Sequence, residues 1–148
     1  MTMTTDRIER SITISAPVAR VWALVSEPGW WINAGVIRAH RIERDGDLHL
    51  VHDDEHGQFA ITVERLDPPR YAAFRWVADH RAPTPVPGAS TLVEFFLDDA
   101  PDGVVLRVIE SGFDALTGDA DRVARNVEDN RRGWETELAA ARTALTGS

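Results

Sequence analysis

Residues 121–146 have the sequence DRVARNVEDNRRGWETELAAARTALT, and this stretch decides the fold. It contains no proline and is rich in alanine and arginine, which favours one helix about 39 Å long at roughly 1.5 Å per residue. Its apolar side chains recur at helical spacing. They form one stripe, which consists of Val123, Val127, Trp134, Leu138, Ala141 and Leu145. The pattern predicts a long helix that buries one face against the rest of the protein.

Two amides and a glycine interrupt this stripe. Asn130 occupies a position where another core residue is due, and Asn126 lies one turn earlier beside it. Gly133 follows, although glycine costs roughly 1 kcal/mol relative to alanine inside a helix. We interpret Gly133 as a point of close approach between the helix backbone and a sheet. The interruption predicts that this part of the helix does not face a filled core.

Upstream of the helix, apolar and polar residues alternate with the period of β-strands. The first strand is predicted at residues 8–14, and a helix capped by Ser15, with Pro17 in its first turn, follows it. A second short helical turn is predicted at residues 30–32, after a break at Glu27-Pro28-Gly29. The patterns then indicate six further strands, at residues 36–42, 48–51, 59–63, 71–77, 91–97 and 104–111.

This order of elements predicts an α+β fold. We expect a seven-stranded, curved antiparallel sheet wrapped around the long C-terminal helix, with two short helices between strands 1 and 2. A twisted sheet bent around one helix is not filled evenly by it, so an open pocket is expected near the N-terminal end of that helix. No linker divides the chain, which predicts a single domain over residues 1–148 with an ordered core from about 7 to 146.

Composition and charge exclude several classes of protein. Twenty-four acidic residues outnumber 16 basic ones, all of them arginine, and the net charge is -8. This charge disfavours nucleic acid and anionic membranes as partners, and without lysine no Schiff base can form. The absence of cysteine removes disulfides, thiolate nucleophiles and cysteine zinc sites. The sequence shows neither a signal peptide nor a membrane span, so we expect a cytoplasmic protein.

Four groups of residues, spread over nearly the whole chain, occur together in a characteristic order. They are Ala16-Pro17 with Val21-Trp22, Gly57 through Asp67-Pro68-Pro69 to Phe74-Arg75-Trp76, Glu110-Ser111-Gly112-Phe113, and Gly133-Trp134 with Leu138. In these residues the chain resembles the START-like, helix-grip (SRPBCC) superfamily, in the branch related to the C-terminal domain of the activator of the heat-shock-protein ATPase. The resemblance implies the helix-grip fold. It does not select one function, because similar proteins include ligand binders, cyclase-like and hydrolase-like enzymes and chaperone activators.

The candidate ligand-binding residues are those expected around the pocket. Trp30 and Trp31 would point about 100° apart on a helical turn, so we expect that they are not buried equally and that one of them lies at the pocket mouth. Core packing is the alternative interpretation for each aromatic residue. The full set is Trp30, Trp31, Phe59, Trp76, Phe95, Glu110, Phe113, Asn126, Asn130 and Trp134.

Glu110 is the candidate catalytic residue. It alternates with Leu106 and Val108, which places its carboxylate on the inner face of the sheet. A carboxylate there must be paired, hydrogen-bonded or protonated, so it could act as an acid or base or anchor a ligand. A purely structural hydrogen bond is the alternative. Charged residues of the opposite face are expected to form an exposed cluster without catalysis, and they are Arg75, Glu94 and Arg107.

The histidines are weak candidates for metal ligands. His52 and His56 flank an acidic turn, for which a solvated turn is the favoured interpretation. His40 and His49 would lie diagonally across a hairpin, without a third ligand nearby. We therefore expect no metal and no cofactor.

Three functional hypotheses follow from these observations. The leading one is a binding protein, rather than an enzyme, that holds a small apolar or aromatic molecule between the sheet and the C-terminal helix. The second is an enzyme similar to polyketide cyclases or aromatases that uses Glu110. The third is a co-chaperone-like domain that binds a heat-shock ATPase through an exposed apolar patch. A homodimer is compatible with all three, although no residue specifies one.

Overall fold

The computed structural model describes residues 7–33, 35–37, 39–53, 57–76, 90–112 and 120–146, with side chains described from residue 127 onward in the last range. Seven strands and two helices are present in this part of the chain. In order they are β1 (Arg7–Ile14), α1 (Val18–Val25), β2 (Arg41–Asp45), β3 (Leu48–Asp53), β4 (Gly57–Asp67), β5 (Tyr71–Trp76), β6 (Thr91–Ala100), β7 (Gly103–Ser111) and α2 (Ala120–Thr146).

All seven strands form one antiparallel sheet with the order β1-β7-β6-β5-β4-β3-β2. The predicted α+β fold, with a seven-stranded curved sheet and a long C-terminal helix, is confirmed. The register of β4 against β5 shifts between Val63 and Arg65, and such a bulge increases the local bend and twist of a strand. At the other side of the sheet, β1 and β7 approach so closely that a Cβ added at Gly103 would lie 2.1 Å from the carbonyl oxygen of Ile14.

The connection between β1 and β2 differs from the sequence prediction. Helix α1 begins after Pro17 without a side-chain cap, so Ser15 is not its capping residue. The expected second helix is instead a pair of turns, in which the amides of Trp30 and Ile32 donate to carbonyl oxygens three residues earlier. Gly29, at φ 77°, lies within these turns, where glycine takes a backbone angle that few other residues adopt. Strand β2 begins only at Arg41, later than the predicted residue 36.

The core lies between the inner face of the sheet and α2. The described members of the predicted helical stripe are buried, and they are Val127, Trp134, Leu138, Ala141 and Leu145. Both tryptophans of the turn segment are also buried, since Trp30 is 1% and Trp31 is 5% exposed, so the expectation of unequal burial is wrong. Their rings stand at 90° to each other with centroids 6.3 Å apart. This angle lets Trp30 pack on Phe95 while Trp31 reaches the C-terminal helix at Trp134.

The outer face carries the predicted charged residues, each with a different partner. Arg75 donates to Glu64 at 2.6 Å. Glu94 accepts a 2.5 Å hydrogen bond from the Tyr71 hydroxyl, and the Arg107 guanidinium lies 4.5 Å from the centre of the Phe96 ring. These pairs lie on the outer face of the sheet, opposite the face that packs against α2.

Candidate functional site

Glu110, on β7, is the centre of a buried hydrogen-bond network. Its side chain is fully buried. Oε1 accepts from Asn130 Nδ2 at 3.1 Å and from Trp134 Nε1 at 2.9 Å. Oε2 accepts from Trp76 Nε1 at 2.9 Å and from the Thr91 hydroxyl at 2.6 Å. One carboxylate therefore joins β5, β6, β7 and α2.

Four donors match the roughly four acceptor positions that a carboxylate offers. Burying a carboxylate is costly unless hydrogen bonds replace its water, and this set replaces them all. The environment of Glu110 thus corresponds to the structural alternative considered from the sequence. Its role in the site is to fix the orientation of the tryptophan rings and of the Asn130 amide.

A cavity of about 220 Å³ lies between the sheet and α2, and its lining includes Trp76, Asn130 and Trp134 of this network. Its walls combine four aromatic side chains with carboxylates and amides. Asp129, an exposed residue of α2, lies at its rim, so the cavity reaches the protein surface there. The lining residues are Trp31, Ile32, Asn33, Phe59, Trp76, Asp129, Asn130, Gly133, Trp134 and Glu137.

Aromatic rings contact one another in the wall of the cavity. The centroid of Trp31 lies 5.4 Å from that of Trp76, with the ring planes at 89°, and 5.8 Å from that of Trp134. The Phe59 ring also packs on Trp76, with centroids 5.8 Å apart. Each indole of Trp76 and Trp134 directs its N–H to Glu110. The hydrogen bonds therefore hold these rings in place, which leaves their apolar faces to form the walls.

Asn33 and Glu137 form a polar wall that the sequence analysis missed. Asn33 Nδ2 donates to the carbonyl oxygen of Trp30 at 2.6 Å and to Glu137 Oε1 at 3.1 Å. The amide of Gly35 donates to Glu137 Oε2 at 3.1 Å. These bonds attach the turn segment to α2. Helical spacing could have indicated Glu137, because it lies one turn beyond Gly133 on the interrupted face.

His40 and Asp53 form a second buried polar pair that the sequence did not indicate. His40 Nε2 lies 3.0 Å from Asp53 Oδ1 and 2.6 Å from the carbonyl oxygen of Ile32. Both side chains are nearly inaccessible to solvent, at 2% and 1% exposure. The pair fastens the cavity-lining turn at Ile32 to β3.

The other histidines show no metal site in the described ranges. His49 contacts the carbonyl oxygen of Asp47 and His52 contacts Glu43, while His56 lies outside the described residues. Within those ranges, no group of three or more histidine, cysteine, aspartate or glutamate residues is placed to hold a metal ion.

The predicted site residues fall into three sets. Those that line the cavity are Trp31, Phe59, Trp76, Asn130 and Trp134. Those buried beneath it are Trp30, Phe95 and Glu110. Phe113 and the side chain of Asn126 lie outside the described part of the chain.

The interpretation of Gly133 as a point of close approach between the helix and the sheet is wrong. A Cβ added there would meet no atom within 4 Å, so the helix does not approach the sheet closely at this position. The glycine instead borders the cavity, and the absence of a side chain keeps that space open.

Solved structures support the same architecture. MLL2253 from Mesorhizobium loti gives a TM-score of 0.69 at 19% identity, over 95% of this chain and 96% of that one. The Aha1 dimer from Colwellia psychrerythraea gives a TM-score of 0.65 at 17% identity, over 97% of this chain and 96% of that one. DynU16, from the dynemicin biosynthetic locus, gives a TM-score of 0.68 at 19% identity over 96% of this chain. This chain spans only 48% of the length of DynU16. At these identities the similarity shows the fold alone.

The sheet wrapped around a C-terminal helix defines a helix-grip protein of the START-like SRPBCC superfamily. Within this superfamily the chain belongs to the family described as Activator of Hsp90 ATPase homolog 1-like protein, whose model matches residues 15–142. No curated protein sequence matches the chain. None of the helices in the described ranges has the length and apolar character needed to span a membrane.

Proposed function

We propose that this protein binds a small hydrophobic or aromatic molecule in the cavity between the sheet and α2. The observation that carries the proposal is the aromatic wall, in which hydrogen bonds to the buried Glu110 hold the rings of Trp76 and Trp134. An apolar cavity with a few fixed polar groups is the usual form of a small-molecule site. The proposed ligand-contacting residues are Trp31, Phe59, Trp76, Asn130 and Trp134.

The size of the cavity limits the ligand. A dry apolar cavity of about 150 Å³ is sufficient to hold benzene. The present cavity of about 220 Å³ therefore fits one substituted ring. A ligand of this size buries about as much surface as one aromatic side chain, and the cost of association offsets much of that gain. We expect dissociation constants in the range of about 1 μM to 1 mM.

The test uses toluene and benzyl alcohol as probes, with thermal unfolding and tryptophan fluorescence as readouts. Binding should raise Tm with probe concentration and change the fluorescence of the indoles in the wall. Gly133→Leu places a side chain where the structure has open space, and it should abolish both effects. Ala139→Leu, which introduces the same leucine side chain at an exposed position of α2, is the matched control and should bind as the original protein does. Absence of binding by the original protein, or unchanged binding by Gly133→Leu, would contradict the proposal.

The two alternative functions have less support. A cyclase-like enzyme that uses Glu110 needs a free carboxylate oxygen in the cavity, whereas both oxygens of Glu110 already accept two hydrogen bonds each. A co-chaperone needs an exposed apolar patch, and the exposed large apolar side chains in the described ranges are Val36, in the segment between α1 and β2, and Leu66, on β4. Turnover by the original protein that is lost in Glu110→Gln would revive the first alternative, and stimulation of a heat-shock ATPase by this protein would revive the second.

A further inference from the structure

We infer that the cavity selects a small organic ammonium ion with a hydrophobic body over neutral and anionic molecules of the same shape. This inference rests on the proposed binding function and specifies its ligand class. It follows from three properties of the cavity walls. The indole N–H groups of Trp76 and Trp134 are already bonded to Glu110, the charge of the walls is negative, and their aromatic rings stand at angles to one another.

The first property is that Glu110 removes N–H donors from the cavity. Trp76 and Trp134 have one N–H each, and both are donated to this carboxylate. Asn130 donates its amide nitrogen to the same group, which turns its carbonyl oxygen away from Glu110. That oxygen accepts no hydrogen bond within the described ranges. The indole N–H of Trp31 is buried and has no accessible surface to offer a ligand. The network thus presents ring faces and an acceptor, which suit a ligand that donates.

The second property is the negative charge of the walls. Asp129 carries a carboxylate at the rim, and none of the lining residues in the described ranges is basic. Asp129 forms no ion pair with any described residue. The whole chain has a net charge of -8, which adds a long-range attraction for cations. An anion would have to enter against this field.

The third property is the arrangement of the rings. The indole of Trp31 is nearly perpendicular to that of Trp76, at 89°, and is tilted by 46° from that of Trp134. These rings contact one another directly, so a cation meets only those ring faces that border the cavity, where the quadrupole of each ring places negative potential. The attraction is strongest where water is excluded, and all three indoles are at least nine-tenths buried. Neutral molecules of equal shape lack this attraction and gain the apolar contact and, where they carry a hydroxyl group, a hydrogen bond to the Asn130 oxygen.

The test compares three probes of matched shape at neutral pH: benzylammonium, benzyl alcohol and benzoate. Tryptophan fluorescence and isothermal titration calorimetry give the dissociation constants. We expect benzylammonium to bind at least about tenfold more tightly than benzyl alcohol, which corresponds to about 1.4 kcal/mol, and benzoate to bind most weakly. Asp129→Asn should weaken benzylammonium severalfold without changing the affinity for benzyl alcohol.

Asp102→Asn is the matched control for total charge. Asp102 is exposed in the β6–β7 turn, at the opposite end of these strands from Thr91 and Glu110, and the substitution removes the same single charge. It should leave both affinities unchanged. Equal affinity for benzylammonium and benzyl alcohol would overturn the inference and leave the proposed binding function standing. Equal weakening of benzylammonium by both substitutions would overturn the role of Asp129. If none of the three probes bound, the proposed function itself would fail.

Discussion

Glu110→Gln tests the network that holds the cavity walls. The glutamine oxygen can still accept two of the four hydrogen bonds, but its NH₂ group faces the other two donors. The Thr91 hydroxyl can rotate and accept from it, whereas an indole N–H cannot, so Trp76 or Trp134 is left unpaired. One buried unpaired donor costs about 1–3 kcal/mol, and the remaining bonds lose the charge that strengthens them. The lower cost of burying a neutral side chain offsets part of this loss. We expect a net loss of about 2–4 kcal/mol in the free energy of unfolding.

Urea unfolding followed by tryptophan fluorescence and circular dichroism measures this loss, with Tm expected to fall by about 10 °C for a chain of this length. Glu135→Gln is the matched control, since Glu135 is an exposed residue of α2 that pairs with Arg10 at 3.1 Å, and such pairs contribute little. If Glu110→Gln does not fold, Thr91→Val removes a single donor and should cost about 1.5–3 kcal/mol. Losses below about 0.5 kcal/mol for both Glu110→Gln and Thr91→Val would refute the reasoning.

Three further predictions concern other parts of the fold. Gly103→Ala should destabilise the protein by about 2 kcal/mol or more in urea unfolding, because its Cβ would lie 2.1 Å from the Ile14 carbonyl oxygen; a neutral result would contradict this contact. Gly133→Ala should instead raise stability by about 1 kcal/mol, since the new methyl group meets no atom within 4 Å, and a loss would show that the helix is crowded there. Burial, followed by the hydrogen bond to Glu94, raises the pKa of Tyr71 from its usual value of about 10, so the unfolded chain ionises first and stability should fall above about pH 10. Tyr71→Phe should reduce this alkaline loss, and because Tyr71 is the only tyrosine, phenolate absorbance in the original protein should appear together with unfolding.

The sequence by itself determined the elements and the face on which most side chains lie. The period of two along β7 placed Glu110 inside with Leu106 and Val108, and the period of 3.6 along α2 placed Trp134 and Leu138 in the core. These periods are local properties of the backbone, so a single sequence is sufficient to predict them. The same reasoning located five of the residues that line the cavity.

Only the tertiary structure decided how those residues meet. The four donors to Glu110 come from three separate elements, and Glu137 meets Asn33 across 104 positions of the chain. The local pattern at Trp30 and Trp31 predicted unequal burial because it could not include the facing rings of Phe95 and Trp134. At Gly133 the sequence indicated a special position but not its cause, since a close contact and an open space both favour glycine. Hydrogen bonds and cavities depend on which distant side chains the fold brings together, and no local period specifies this.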